Sequence, residues 1–595
     1  MDTTKEVACP VGAASAPTTP KAPGAAGRQP DAPQALTLLG ICRLLDARGA
    51  LARGIEAARD VRVTGAACDS RFVREGDLFF CKGRAFKPAY LASAAERGAV
   101  AYACEPDAAP ALAKVAPGLP AMLVSDMRVA MAVASAAAFG HPDRSLPMVG
   151  ITGTKGKSTS AYMLRSIVDA AEGERRCGVM GSIDTYDGVE DAESTNTTPE
   201  APDLWRHLAN ARESGLAAMV MEVSSQALKY DRSLDVELDV ACFLNIGTDH
   251  ISPVEHPTFE DYFSSKLRIF RQGRVAVVNL GTAHLERVLS AASSAEGPDG
   301  ERPRLVTVSA AGPEPVECGS CDMVFPDVWA TDVRPEGSRV SFVAHGCGLA
   351  PVASARAHGL AAEAPASGAG ASDAGDEAWS LPVTLNFPGL FNVENALVAI
   401  ACAELLGIDR AHVATGLAAC RVPGRMELVG KPGSRVLCVV DYAHNALSYQ
   451  RFFASMAKEF PGRRIVALIG APGGKAYERR EELPREAARW ASHIVATEED
   501  PAHDSNEDIC REMDANVPEG ATLADGTPVT HEYVLDRQQA VARCLDVALG
   551  YGEPALVCLL GKGDETLIHR GDRFEPMVPD AEAFRQAAAA RGVEL

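Results

Sequence analysis

The chain has 595 residues, 47% of them apolar, with a formal net charge of -21 and 16 cysteines. That length allows roughly three or four domains, each able to bury a core. The acidic balance argues against non-specific nucleic-acid binding, while leaving room for a local basic pocket that takes an anionic substrate.

Residues 1–35, rich in Ala, Pro, Gly and Thr, lack the basic start and apolar core of a signal peptide and read as a disordered tail. No window has the apolar length of a membrane span. Several cysteines sit inside apolar runs (Cys242, Cys402, Cys438, Cys558), which fits reduced, buried thiols. The expectation is a cytoplasmic protein without stable membrane association or nucleic-acid partner.

Residues 36–144 form a first domain mixing short strands with Ala-rich helices. "RFVREGDLFFCKG" predicts a strand leaving a turn, and "YLASAAERGAVAYAC" a helix feeding a strand. The proline-flanked "GHPDRSLP" marks a boundary. Residues 145–420 form a second domain, in which "LPMVGIT", "AAMVMEVSS", "DVACFLNIG" and "RVAVVNLG" alternate with helical patterns, as in a parallel α/β sheet. A low-complexity stretch at about 354–379 predicts a surface loop or partly disordered insertion. Residues 421–595 form a third domain from "SRVLCVVDYAH", "RRIVALIGAPGG", "SHIVATEEDP" and "PALVCLLGKGD". Cys318 and Cys321, with His345 and Cys347 downstream, invite a zinc reading; zinc needs four tetrahedral ligands, and ordinary loop cysteines are the expectation.

"VGITGTKGKST" at 149–159 places a glycine-rich loop between a buried strand and a helix. Gly153 and Gly156 remove side chains where backbone amides must approach an anion, and the helix N-terminus adds a favourable field. Lys157 can reach the β- and γ-phosphates, and the Ser158 hydroxyl suits magnesium or its hydration shell. The spacing departs from the Walker pattern because Ile151 stands where a glycine is usual.

The loop resembles the T-G-T-x-G-K-[ST]-[ST] loop of the Mur ligases, which join amino acids to the peptidoglycan precursor. The likeness continues in order through "DSR", "NTTPE", "MEVSSQAL", "NIGTDH", "FPGLFNVENALVA", "VPGRME", "VDYAHN" and "LLGKGDE", over about residues 60–570. Within that family the blocks are most like the MurE type. The resemblance implies an α/β fold of three domains, with a central P-loop parallel-sheet ATPase domain and a C-terminal Rossmann-like domain. It implies an ADP-forming ligase of peptidoglycan synthesis, active as a monomer. ATP would phosphorylate a carboxylate of UDP-N-acetylmuramoyl-L-Ala-D-Glu, and the amine of a free amino acid would displace phosphate.

The resemblance also implies roles. Gly153, Thr154, Lys155, Gly156, Lys157, Ser158, Thr159, Asn392, Asn395, Arg425 and Asp441 would bind ATP. Lys157, Glu222, His250 and Lys266 would be catalytic, with magnesium held by Ser158, Glu222, His250 and Lys266 as a carbamate. Only a neutral amine reacts with carbon dioxide, so that role requires a depressed Lys266 pKa. Asp69, Ser70, Arg71, Asn196, Thr197, Thr198, Ser224 and Arg232 would hold the muramoyl nucleotide. Tyr230 replaces a glutamine common in some members, so that contact is not carried over.

For the incoming amino acid the family run D-N-P-R becomes Glu499-Asp500-Pro501-Ala502. The missing guanidinium removes a bidentate partner for a second carboxylate, and Glu499, Asp500 or Asp504 could attract a side-chain ammonium. L-Lysine is therefore favoured over meso-diaminopimelate, with Asp500, Ala502, Gly561 and Glu565 in the pocket. "GKGDE" places Asp564 where the family has histidine, and "GAPGGKAYERR" departs from G-C-G-G-D-R-D. The alternatives are another amide ligase, such as a folylpolyglutamate type, or a degenerate nucleotide-binding scaffold.

Overall fold

The computed structural model describes residues 36–53, 61–83, 85–249, 251–252, 255–319, 322–357, 360, 378–431 and 433–595. The tail at 1–35, most of the stretch at about 354–379, His250 and Cys321 lie outside the described residues.

Three main sheets follow one another along the chain. The first has five strands in the order 51–53, 121–124, 101–104, 77–80, 65–67, parallel except for its first member. The expected strand after "REG" is Asp77–Phe80, and the Ala-rich helix Pro88–Glu96 feeds Ala101–Cys104.

The second sheet has eleven strands. At its centre, Met148–Thr152 lies between Ala218–Glu222 and Leu238–Phe243, all parallel. These strands are buried along their whole length, which explains why they read as continuous apolar runs rather than alternating ones. Helix Asn392–Leu405 is apolar around nearly its whole circumference and is buried as the pattern requires. It packs, with Arg410–Ala419, on helix Lys157–Glu172. Sequence reasoning missed the parallel strands Cys177–Met180 and Arg304–Ser309. It also missed Val328–Pro335, which joins Arg304–Ser309 in parallel, and the antiparallel strands Val340–Gly346 and Trp379–Leu385 beyond it.

The third sheet runs 427–429, 436–441, 555–560, 464–471, 493–498, 530–533. Its four inner strands are the four expected ones, and all are parallel. Among the described residues no helix is long and apolar enough to cross a membrane.

Candidate active site

Ile151 pairs with Glu222 and Thr152 with Phe243, so three strands release their chains at one carboxyl edge of the second sheet. Ligands in open α/β sheets bind at such an edge. The loop 153–156 bridges strand and helix there. Gly156 has φ +89°, and a Cβ on it would stand 2.2 Å from Asn395 Oδ1, so glycine is required for both conformation and space. Asn245, which the sequence reading did not single out, clamps the loop. The Lys155 amide donates to Asn245 Oδ1 at 2.9 Å, and Asn245 Nδ2 donates to the Lys155 carbonyl at 3.1 Å.

Three lysines crowd the loop. Lys157 Nζ donates to the Gly153 carbonyl at 3.0 Å, and Lys266 Nζ reaches the same oxygen at 2.9 Å from helix Phe259–Leu267. Lys155 Nζ lies 3.3 Å from Asp249 Oδ2 and 3.3 Å from His444 Nε2. Burial, reinforced by the neighbouring lysines, drives the Lys266 pKa well below the ordinary lysine value. Burial also lowers Lys155 and Lys157, against the pull of nearby carboxylates. His444 is held well below the usual histidine range by burial and by Lys155. Thr154 Oγ1 accepts from the Gly247 amide at 3.0 Å and meets Tyr262 Oη at 3.1 Å, fixing the loop from below.

Glu222, only 1% exposed, ends its strand with both carboxylate oxygens directed. Oε1 accepts from the Ser182 amide at 2.8 Å and Oε2 from Ser182 Oγ at 3.0 Å. Ser182 Oγ is also 3.3 Å from Thr197 Oγ1. Glu222, Ser158 and Thr159 line one cavity of about 400 Å³.

The opposite wall of that cavity comes from helix Asn392–Leu405 and from the third sheet. Asn395 and Arg425 face it, as does Asp441, whose carboxyl burial raises against the pull of Arg425. Asn392 stands behind: it accepts from Asn395 Nδ2 at 2.9 Å and donates to the Pro388 carbonyl at 3.1 Å. The Arg425 guanidinium lies 4.2 Å from the Tyr442 ring centre and 3.3 Å from Asp564. Buried cations around a glycine loop, a strand-end carboxylate and a second α/β unit closing the cleft form a site suited to an anion such as a nucleotide's phosphates.

Residues 151–298 match the Mur ligase middle domain and residues 424–563 the Mur ligase glutamate ligase domain. The UDP-N-acetylmuramyl-tripeptide synthetase of Lactobacillus delbrueckii subsp. bulgaricus is 35% identical over 502 residues, covering 83% of this chain and 87% of its own. The chain belongs to the Mur ligase family. The UDP-N-acetylmuramoyl-L-alanyl-D-glutamate--L-lysine ligase of Enterococcus faecalis is 34% identical over 526 residues, 88% of this chain and 91% of its own. A solved UDP-N-acetylmuramoyl-L-alanyl-D-glutamate--2,6-diaminopimelate ligase aligns with a TM-score of 0.55 at 22% identity, covering 91% of this chain and 98% of that one. MurF from Acinetobacter baumannii aligns with a TM-score of 0.57 at 19% identity, covering 92% and 97%. These two structural likenesses speak for the three-domain α/β fold. The chain is a ligase that resembles the MurE type.

In this Mur ligase the "DSR" block, expected to hold the muramoyl nucleotide, lines neither the loop cavity nor the second cavity beside it. Arg71 is exposed and folds back onto Asp69, with Nη2 2.6 Å from Oδ2, while Ser70 is buried. A second cavity of about 670 Å³ opens between the first and second sheets, where Lys82, Arg128 and Arg232 gather around Glu200. Glu200 is 2.7 Å from Lys82 and 3.0 Å from Arg232. Arg128 stacks on Tyr230, 4.1 Å from its ring centre, so the departure at 230 serves as a platform for an arginine. Thr198 Oγ1 accepts from the Ser224 amide at 3.0 Å, and Arg232 Nη1 donates to the Thr198 carbonyl at 3.3 Å. Asn196 is exposed.

The three acidic candidates for an ammonium separate. Asp504 is bound by Arg480 at 2.6 Å and by the Gly474 amide at 3.1 Å. Asp500 Oδ1 accepts from buried Lys562 at 3.0 Å and from the His569 amide at 2.9 Å. Lys562 also pairs with Glu565. Glu499 is 7% exposed, lines the cavity, and its Oε2 has no hydrogen-bond partner; burial raises its carboxyl pKa to about 7. Gly561 leaves space beside it, since a Cβ there would lie 2.9 Å from Glu499 Oε2. Ala502 has φ +49° and is held by its backbone to the hairpin at 567–576, donating to the His569 carbonyl at 2.9 Å. Lys562 was missed because a lysine inside a glycine-rich string carries no periodic signal of burial. For the zinc reading, Cys318 lies in the hairpin strand Val316–Cys318, and His345 is engaged by Thr331 at 2.7 Å.

Proposed function

We propose that this Mur ligase joins a diamino acid, L-lysine in preference to meso-diaminopimelate, to UDP-N-acetylmuramoyl-L-Ala-D-Glu at the expense of ATP. The observation that carries this reading is that one cavity is lined by the phosphate loop, by Glu222 and by Glu499, whose Oε2 has no hydrogen-bond partner. Energy source and amine acceptor thus share a wall. The relatives' names, a tripeptide synthetase and a lysine ligase, support the same substrate class.

The chemistry follows from the charges. A substrate carboxylate oxygen attacks the γ-phosphorus and the bond to ADP breaks. The free amine then attacks the acyl carbon, phosphate leaves, and one amine proton is released. Loop amides 153–159 with Lys155, Lys157 and Arg425 offset the phosphate charge during transfer, which is a positioning and electrostatic task. Asn395 and Asp441 face the cavity beside them, with Asn392 bracing Asn395 from behind. Lys82, Arg128 and Arg232 offer the second cavity the positive charge a sugar-nucleotide diphosphate needs. Thr197 lines the first cavity, and Thr198 and Ser224, bonded to each other, would join it in contacting the muramoyl peptide.

Magnesium would be held by Glu222 and Ser158, with His250 and Lys266 completing the set. The fit rests on Glu222, an oxygen donor buried at the cavity edge and oriented by Ser182. Lys266 as an ammonium would repel the ion. Its strongly depressed pKa supports a neutral amine, which adds carbon dioxide and loses a proton to become an anionic carbamate. The bound ion would neutralise phosphate charge and orient its oxygens.

The test is an amino-acid panel with UDP-N-acetylmuramoyl-L-Ala-D-Glu, ATP and magnesium, scoring tripeptide and ADP together. The expected result is stoichiometric ADP and tripeptide with L-lysine. Efficient incorporation of meso-diaminopimelate without L-lysine would overturn the pocket reading. ATP binding without turnover across the panel would favour the scaffold.

A further inference from the structure

A row of alternating charges crosses the cleft. Lys155, on the phosphate loop, lies 3.3 Å from Asp249 Oδ2. The other oxygen of that carboxylate, Oδ1, lies 3.7 Å from Arg479 Nη2. Arg479 and Glu499 line the same cavity, and the Arg479 guanidinium is the strongest charge opposing the burial of Glu499. Lys155 and Asp249 belong to the second sheet's unit, whereas Arg479 and Glu499 belong to the third. Asn445 Nδ2 donates to Asp249 Oδ2 at 2.9 Å, so the carboxylate is fastened across the same boundary.

Arg479 is an unusual occupant of its own position. It is the first residue of helix Arg479–Ala487, where the positive end of the helix dipole disfavours a cation. Its side chain is only 14% exposed and receives little compensation from water. The Asp249 carboxylate across the boundary compensates it, and Glu499 faces the same cavity from its own side.

We propose that Arg479 is a positioning residue that couples the nucleotide site to the amino-acid site. This rests on the reading of Glu499 as the acceptor of the incoming side-chain ammonium. A triphosphate on the loop draws the Lys155 ammonium to itself and away from Asp249. Asp249 then bears more fully on Arg479, and Glu499 loses part of its compensating charge. Glu499 in consequence holds an ammonium more tightly once nucleotide is bound. By linkage, an amine on Glu499 strengthens nucleotide binding by the same factor. A neutral side chain feels none of this.

The test is calorimetric titration of the full-length protein with L-lysine and with L-norleucine. Each titration is run with UDP-N-acetylmuramoyl-L-Ala-D-Glu and magnesium present, with and without a non-hydrolysable ATP analogue. For the unaltered protein the analogue should tighten L-lysine by about tenfold and leave L-norleucine within about twofold. Arg479→Met should erase the lysine ratio and Arg479→Lys restore most of it. Asp249→Asn, which preserves shape and an acceptor for Asn445, should erase the ratio without removing Arg479. Retention of the ratio in either charge-removing variant overturns the coupling, as does an equal ratio for L-norleucine. Failure of the unaltered protein to bind L-lysine under any condition overturns the Glu499 reading and the coupling together. Binding with no analogue effect overturns the coupling alone.

Discussion

Lys157 and Lys266 aim their ammonium nitrogens at one oxygen, the Gly153 carbonyl, at 3.0 and 2.9 Å. Two cations on one neutral acceptor repel each other, and burial sharpens the repulsion. One of the two is relieved by losing its proton. Lys266, 2% exposed and with no ion-pair partner among the described residues, bears the larger depression.

Lys266→Ala should therefore abolish more than the charge. We expect tripeptide formation to fall by about a hundredfold or more, in the range of a lost electrostatic stabiliser. Nucleotide affinity should change only a few-fold. Added short-chain carboxylic acids should restore part of the rate, read as tripeptide per minute. Full activity without rescue would remove the carbamate role.

Glu499 predicts a pH dependence with a definite sign. Burial raises its carboxyl pKa from 4.5 to about 7, so the anion that attracts an ammonium is depleted as pH falls below that value. kcat/KM for L-lysine should decline toward low pH through about 7, while the Glu499→Gln profile lacks that limb. The stability signature runs oppositely. A raised folded-state pKa favours the fold at low pH, and that contribution disappears as pH rises through about 7. At pH 8 Glu499→Gln should be more stable than the parent, by on the order of 3 kcal/mol at most, measured by denaturant unfolding.

Gly156→Ala tests the loop without touching a charge. The new methyl would stand 2.2 Å from Asn395 Oδ1 at φ +89°. The KM for ATP should rise by about tenfold or more, from a displaced Asn395 and roughly 1 kcal/mol of backbone strain. The companion Gly156→Ala, Asn395→Ala should recover part of the loss if the clash is its source.

Asp564, which replaces the family histidine, fixes Arg425 against Tyr442. Asp564→Asn should loosen that guanidinium and raise the KM for ATP by roughly threefold to tenfold, as expected for an ion pair worth about 1 kcal/mol. Asp564→Glu should lie between the two. Unchanged ATP kinetics in Asp564→Asn would separate Asp564 from the nucleotide site.

The architecture was legible wherever strands are buried on both faces, because runs such as "AAMVM" and "VLCVV" have no other way to hide from water. The phosphate loop was legible from its glycines and its flanking strand and helix. Antiparallel strands such as Val340–Gly346 escaped because one of their faces is open, giving a buried–intermediate alternation too short to stand out. In the site, Glu222 and the loop lysines were found from blocks of sequence. Ser182, Asn245, Arg479 and Lys562 were not. Each acts on a partner distant in the chain, as Ser182 does on Glu222 and Lys562 on Asp500. The choice among Glu499, Asp500 and Asp504 likewise needed the fold, since it turns on which carboxylates already have cations.

The backbone clasp at Ala502 carries an evolutionary consequence. Its amide and carbonyl bond to His569 and Gly571, and the left-handed geometry at φ +49° is already borne by a residue with a Cβ. Exchanging the side chain there leaves both bonds and the same strain in place. Residue 502 is thus a socket: its side chain can be exchanged while the surrounding loops keep their shape.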